Sequence, residues 1–403
     1  MNDERKNLAY WLRVHFALGG TAAFHALYEK YPDPETLCAV LENETERDGL
    51  ARRLSPGKIA GLSFAEAENT AAQCAEQGIT VLPFSSDLYP PALRFIKDPP
   101  AVLFAQGDIS LPAAKRTVAV VGSRTISEAG RRASFLLGYA LSSAGITVVS
   151  GGAAGTDTYA GSGASGCSGG TVTVLGEGLN GKSAHPLAGR KNTVFVSELF
   201  PGTPGRAFTF SRRNRIISGM SAGTVVIEGG EKSGALITAG TCLQQRRRLF
   251  VPAQSIADSP GCRKLLEDGA QPLFRAADCI KELFPEYEDR ENIFPSLPLD
   301  STALDGLFVL SGAREAQTER KTKKTVPAKK TEQTEEKQTQ PPEIPAYLSE
   351  NARRVLGALT GTPQAADDIA YNTGLTASCM MTAVTELELE GLAHISPGNR
   401  ISL

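Results

Sequence analysis

Thr117-Val-Ala-Val-Val-Gly-Ser-Arg124 and Ile146-Thr-Val-Val-Ser-Gly-Gly-Ala-Ala-Gly-Thr-Asp157 share one plan. A short β-branched run ends in glycine, and a charged residue follows. Apolar runs without polar alternation fit strands covered on both faces. Comparable runs recur at Thr171–Leu175, Thr193–Ser197, Gly223–Glu228 and Arg248–Pro252. Stretches of helical character lie between them, near 127–143, 157–166, 209–219, 235–245 and 261–268. This alternation predicts an α/β, Rossmann-like, doubly wound parallel sheet.

The flanks differ from this core. Residues 1–82 are rich in Ala, Leu and Glu, with breaks at Gly19-Gly20, Tyr31-Pro32 and Ser55-Pro-Gly57. They read as a small helical domain. The Gly19-Gly20 break could also mark a helix-hairpin-helix, but it lacks a basic flank and a plain bundle is favoured. The Rossmann-like domain is expected over 83–290. A linker spans 291–345, and within it 313–343 carries mostly Lys, Glu, Thr, Gln and Pro, a composition that cannot bury a core. The end, 346–403, has the order helix, helix-turn-helix, hairpin, which is that of a winged helix. Its expected recognition helix, Ala377–Glu390, holds several Glu and no Lys or Arg, so it favours protein contact over DNA contact.

The bulk composition excludes several classes. The 403 residues carry a net charge of −2, so a polyanionic partner must be met by a local patch. Seven scattered cysteines, with no CxxC pair, fit reduced thiols in a cytoplasmic protein rather than a disulfide framework. None of the four histidines has metal-ligand spacing to a cysteine, so no metal and no cofactor is expected. No signal peptide or membrane-length apolar run is present.

A local patch does exist. Phe208-Thr-Phe-Ser-Arg-Arg-Asn-Arg-Ile-Ile217 places Arg212, Arg213 and Arg215 close together, and Glu231-Lys-Ser-Gly234 follows one strand later. In an open α/β sheet, ligands bind beyond the carboxyl ends of the strands. The loops expected there carry Gly122-Ser-Arg124, Gly151-Gly152, Lys182, the Arg212–Arg215 segment and Lys232-Ser-Gly234. Glycines let backbone amides approach phosphates, and helix starts favour anions. Five such loops on one crest point to a phosphate-binding surface.

Three literal motifs compete. Gly176–Ser183 fits GxxxxGK[ST], but His185-Pro186 and Gly189 interrupt the helix that a phosphate loop needs. Gly176-x-Gly178-x-x-Gly181 fails as a dinucleotide fingerprint for the same reason. Gly219-Met-Ser-Ala-Gly223 fits GxSxG, yet a helix precedes it and a strand follows, the reverse of a nucleophile elbow. Asp157 and Glu228 are the main acid–base candidates, and Asp157 can equally cap a helix. Binding is therefore favoured over turnover, and the catalytic site is left empty.

Val120-Val-Gly-Ser-Arg124, Ser150–Asp157, Arg213-Asn-Arg-Ile-Ile217 and Lys232-Ser-Gly-Ala-Leu-Ile-Thr238 together resemble the DNA-processing protein DprA (Smf) family, as do Asp87-Leu-Tyr-Pro90, Asp98-Pro-Pro100 and Gly107-Asp108 upstream. The resemblance is strongest over about 85–275. It implies a protein that binds single-stranded DNA in natural transformation, shields the strand and loads the RecA recombinase past single-strand-binding protein. It also implies a homodimer formed through the Rossmann-like domain. By motif, Arg124 would contact phosphates, Arg213 and Arg215 would line the same groove and Lys232 would face it. The expected DNA-binding set is Gly122, Ser123, Arg124, Gly151, Gly152, Lys182, Arg212, Arg213, Asn214, Arg215, Lys232, Ser233 and Gly234. The chain departs from the family pattern at Gly161, Ser211, Ala253 and His185-Pro186. The alternative is a nucleotide-binding or nucleotide-hydrolysing enzyme of Rossmann-like fold. A third view makes the chain a scaffold that recruits partners through its winged helix.

Overall fold

The apolar runs pair as a nine-stranded sheet. The computed structural model describes residues 2–43, 57–181, 185–231, 233–253, 259–287, 298–299 and 350–360, then 362, 364–373, 375, 380, 383–384, 387, 393–396 and 400–402. The chain divides into two units, Met1–Lys324 and Thr325–Leu403. Of the expected linker, only Pro298 and Leu299 are described. Pro298 bridges to Arg275, and Leu299 is buried in a core of the first unit.

The first unit opens with helices α1 (Asn2–Leu18), α2 (Ala22–Lys30), α3 (Pro34–Glu42), α4 (Gly57–Ala60) and α5 (Phe64–Glu76). Strands β1 (Thr80–Pro83) and β2 (Val102–Gly107) follow as an antiparallel pair. Next come β3 (Thr117–Val121), α6 (Glu128–Ser143), β4 (Thr147–Ser150), α7 (Thr156–Ala164), β5 (Thr171–Val174) and β6 (Thr193–Ser197). The unit continues with α8 (Ala207–Gly219), β7 (Gly223–Val226), α9 (Gly234–Gln244), β8 (Arg248–Pro252), α10 (Pro260–Glu267), β9 (Gln271–Leu273) and α11 (Ala276–Leu283). The strand order is β1-β2-β6-β5-β4-β3-β7-β8-β9.

Strands β3 to β9 are mutually parallel, while β2 joins β6 antiparallel. The expected doubly wound core is thus present, and β1, β2 and β9 extend it. Both faces are covered, and β3 shows how. Val118 and Val120 enter one core with Phe135, Leu137 and Ile280, whereas Ala119 and Val121 enter another with Ile216, Ile217 and Ala239. A period of two sorts one strand onto two buried faces.

The N-terminal helices share the second of these cores, through Trp11, Leu12, Phe24 and Leu27. His15 ties them to the sheet. Its Nε2 donates to the Glu198 carbonyl at 2.6 Å, and its Nδ1 accepts from the Val102 amide at 3.3 Å. Burial lowers its pKa, although the bond to Glu198 opposes this, and a neutral ring satisfies both contacts.

The second unit, taken by itself, has helices Glu350–Ala358 and Ala366–Thr373 and a three-stranded sheet. That sheet is made of β10 (Gln364–Ala365), β11 (His394–Ser396) and β12 (Arg400–Ser402), with β12 in the middle. Within the expected recognition helix, Met380, Ala383, Val384 and Leu387 are buried with Val355 and Ile369. Their spacing is one helical face. The Glu-bearing positions of that helix lie outside the described residues.

Candidate nucleic-acid interface

Parallel pairing carries the loops after β3, β4, β5, β6 and β7 to one edge of the sheet. The chain steps from β3 through β4 and β5 to β6, then returns to the other side of β3 as β7. The crevice beyond β3 is therefore a topological switch point, where open α/β sheets bind ligands. A cavity of about 720 Å³ lies there. Gly122, Ser123 and Arg124 line it from the first loop, Ala153 and Asp157 from the second, Arg206, Phe210, Arg213 and Asn214 from α8 and its approach, and Ser233, Gly234 and Ile237 from α9. A second cavity of about 500 Å³ adjoins it, sharing Arg124, Ala153, Phe210 and Arg213, and reaches Gly151, Gly152 and the loop after β5.

The loop bearing Arg124 is held at both ends. At its end, the Ser127 amide donates to Glu228 Oε2 at 3.1 Å, and the Ser127 hydroxyl donates to the same carboxylate. Ser127 also caps α6 through the Gly130 amide at 2.9 Å. Near its start, the Thr156 amide donates to the Ser123 carbonyl at 3.2 Å. Gly155 has φ +82, and a β-carbon there would run into the Ser123 and Arg124 carbonyls. Only glycine lets the second loop back the first this closely. Glu228, a candidate acid or base from sequence, is thus an anchor for the Arg124 loop.

Asp157 is also committed. Its Oδ2 accepts from the Gly151 amide at 2.9 Å and the Ala153 amide at 3.3 Å, fixing the glycine loop. Burial pushes its pKa up to about 6, against the pull of Arg213 and those two amides.

The three clustered arginines part company. Arg213, 6% exposed, donates to the Gly151 carbonyl at 2.6 Å and to the Val174 carbonyl, with a longer bond to Asn214 Oδ1 at 3.3 Å. Burial brings its pKa down to about 10, opposed by Asp157. It forms the floor of both cavities. Arg215 turns to the far side of α8 and pairs with Glu198 at 2.7 Å and Asp98 at 3.0 Å. Burial acts to lower its pKa, but these two carboxylates outweigh it and raise the value. Arg212 lies 3.5 Å from Glu198 and donates to the Gly19 carbonyl. The expectation that Arg212 and Arg215 line the groove does not match where their side chains go. Nor does the Gly19-Gly20 turn offer free amides to a DNA backbone, since Arg212, Arg215 and Glu198 cover it.

The remaining sequence candidates fall into two groups. Gly122, Ser123, Gly151, Gly152, Asn214, Ser233 and Gly234 all line one of the two cavities. Lys182 and Lys232 lie outside the described residues. Sequence reasoning passed over Arg206, which is exposed in the first cavity, and Phe210, whose ring borders both. Arg206 stands apart from the arginine run, on the approach to α8. Among the described residues neither Arg124 nor Arg206 takes part in an ion pair, so both leave charge available to the groove. The α9 N-terminus opens on the same cavity and adds a partial positive charge.

The competing motifs resolve structurally. Turns rather than a helix occupy 185–192 after the GxxxxGK[ST] match. A β-carbon at Gly178 would strike the Phe200 carbonyl, and one at Gly176 would strike the Phe210 ring, so that spacing serves packing. Ser221 of the GxSxG match is fully buried and donates to the Ile217 carbonyl at 3.0 Å.

The family profile described as DNA recombination-mediator protein A matches residues 80–284, just over half of the chain, and the DprA winged helix domain profile matches 338–399. The DNA processing protein DprA of Bacillus subtilis is 38% identical over 217 residues, covering 52% of this chain and 72% of that protein. Protein Smf of a Synechocystis species is 30% identical over 332 residues, covering 77% of each chain. The crystal structure of DprA from Streptococcus pneumoniae superposes with a TM-score of 0.53 at 28% identity, covering 68% of this chain and 98% of that one.

Proposed function

Because the chain belongs to the DNA recombination-mediator protein A family (DprA/Smf), we propose that its switch-point groove binds single-stranded DNA without base-pairing partners. The observation that carries this is the pairing of available charge with an aromatic ring and an exposed aliphatic side chain in one crevice. Arg124, Arg206 and the α9 N-terminus can meet successive phosphates, while Phe210 and the exposed Ile237 offer apolar surface to unpaired bases. Backbone charge contacts with stacking platforms are how single strands are held without sequence readout. A duplex hides its base faces and gains nothing from this apolar surface.

Binding rather than turnover is the fitting role. The carboxylate nearest the glycine loop, Asp157, is already spent on two amides and on Arg213. The family resemblance adds the finer reading: the bound strand is an incoming one in natural transformation, the protein acts as a homodimer in the cytoplasm, and it passes the strand to RecA in place of single-strand-binding protein. No helix among the described residues is long and apolar enough to cross a membrane.

The test is a titration of single- and double-stranded oligonucleotides across salt concentrations. Arg124→Ala and Arg206→Ala should each weaken single-strand binding and shallow the log–log salt slope by roughly 0.7 per lost phosphate contact. Neither should lower the melting temperature. Unchanged affinity in both variants would remove the groove from the function. RecA transfer is tested separately, by strand exchange on strands pre-coated with single-strand-binding protein.

A further inference from the structure

The second cavity differs in chemistry from the first. Its walls are Leu175, Leu179, the Phe210 ring, the His185 ring and the backbone of the glycine loop after β4. His185 is held in place by backbone contacts. Its Nε2 donates to the Gly152 carbonyl at 2.9 Å, and its Nδ1 accepts from the Leu187 amide at 3.2 Å. The ring also lies edge-on to Phe195, with centroids 5.3 Å apart. Both nitrogens are used by the backbone in the neutral tautomer, so the ring serves as a wall. Among the described residues, Gln106, Glu177 and Asn180 add uncharged and acidic polar groups to its lining, the last two exposed. Glu177 leans toward Gly205, at the boundary with the first cavity.

A carboxylate at the mouth disfavours a phosphate, which the first cavity already serves. An apolar slot with a hydrogen-bond acceptor at its rim suits a planar heterocycle with an amino edge. The volume of about 500 Å³ falls within the roughly 300–1,000 Å³ typical of small-molecule sites. Arg124 and Arg213 stand on the wall between the two cavities, where a phosphate in one would connect to a base in the other.

We propose that this second cavity takes an unstacked nucleobase of the bound strand, and that Glu177 favours bases bearing an exocyclic amino group over thymine. The inference rests on the single-strand reading above and deepens it. It makes discrimination against duplex a matter of energy, since a paired base must first be unpaired and unstacked, at a free-energy cost, to turn into the slot. It also gives an otherwise sequence-tolerant groove a modest base preference.

The experiment uses the full chain and short oligomers of dC and dT of equal length, followed by fluorescence anisotropy at fixed salt. Wild type should bind dC more tightly than dT by roughly three- to tenfold, the scale of one ordinary net hydrogen bond, because the Glu177 carboxylate is exposed to solvent. Glu177→Ala should bring the ratio to about one while leaving dT binding equal or stronger, because a repelling charge is gone. A dC oligomer with abasic sites should lose the preference in wild type. Free dCMP should compete far more weakly than the dC oligomer. A wild-type ratio near one, a ratio unchanged in Glu177→Ala, or full affinity for the abasic oligomer would overturn the pocket while leaving single-strand binding intact. Competition by dCMP on a par with the oligomer would make the cavity a mononucleotide site instead and overturn its assignment to the strand. If wild type bound neither oligomer, the single-strand reading would fall, and this inference with it.

Discussion

Replacing Arg213 should destabilise the fold rather than simply remove a DNA contact. The guanidinium is buried and holds the Gly151 and Val174 carbonyls, which join the glycine loop to the end of β5. It is also the main positive charge felt by the buried Asp157 carboxylate. Arg213→Ala strips both carbonyls of a charged donor and leaves that carboxylate less compensated. A hydrogen bond to a charged group contributes about 1.5–3 kcal/mol, and removing one side of a buried charged constellation typically costs about 3–5 kcal/mol. For a unit of this size such a loss lowers the melting temperature by roughly 4–10 °C. Thermal and urea melts of the purified variant measure it. Arg213→Met combined with Asp157→Asn should recover part of the loss, since the uncompensated charge goes as well. If Arg213→Ala melted within about 2 °C of wild type and yet lost single-strand binding, the residue would be a phosphate contact and the structural role argued here would be wrong.

Other variants probe the neighbouring parts. Glu228→Ala frees Ser127 and should weaken single-strand binding through the Arg124 loop; the same change in an Arg124→Ala background should add little, and full additivity in that double-mutant cycle would disconnect Glu228 from Arg124. Glu198→Ala leaves Arg215 buried with only Asp98 and releases Arg212, so it should cost about 3–5 kcal/mol; hydrogen exchange should rise around Gly19 and Gly20, and unchanged protection there would refute the clamp. Asp157 sets a pH dependence. Its folded pKa of about 6 lies above the ordinary 3.8, so the folded state binds the proton more tightly. Below about pH 4 both states are protonated and nothing is lost; as pH rises to 6 the unfolded chain ionises first and the group comes to disfavour folding, by up to about 3 kcal/mol. Wild type should therefore lose stability relative to Asp157→Asn between about pH 4 and 6, and a gap that stays flat with pH would contradict the burial argument.

The central sheet was legible because its signals are local. Thr117–Val121, Thr193–Ser197 and Arg248–Pro252 are strands over the residues expected from β-branched runs alone. The helices between them match to within two residues, since glycine and serine mark their ends. Strands β1 and β2 left no such mark. Thr80–Pro83 is four residues long and ends in proline, and Val102–Gly107 follows a proline pair, so β1 owes its conformation to antiparallel pairing with β2, and β2 to pairing with β1 and β6. That pairing joins segments far apart in sequence, which periodicity cannot register.

The crest of glycine loops was also legible, because parallel topology alone sends those loops to one edge. What composition could not decide is which cations face it. Helix periodicity could have decided part of that. Positions 212 and 215 are i and i+3 and share a face, whereas 213 is turned about 100° from 212. Three arginines this close on a helix cannot all serve one groove. In the structure the i, i+3 pair meets Glu198, an acid from a different loop, and the odd member floors the cavities. The chain is nearly neutral, so most of its cations must be answered by acids somewhere, and a dense basic run is where a single buried carboxylate gains most from having two partners. The charges left to attract a polyanion are then the isolated ones. Arg124 and Arg206 stand in glycine- and proline-marked loops, and among the described residues neither is closed into an ion pair, although Arg124 shares its cavity with Asp157. In a neutral protein of this fold, an arginine set apart in sequence at the carboxyl end of a strand is a better pointer to a phosphate than a cluster is.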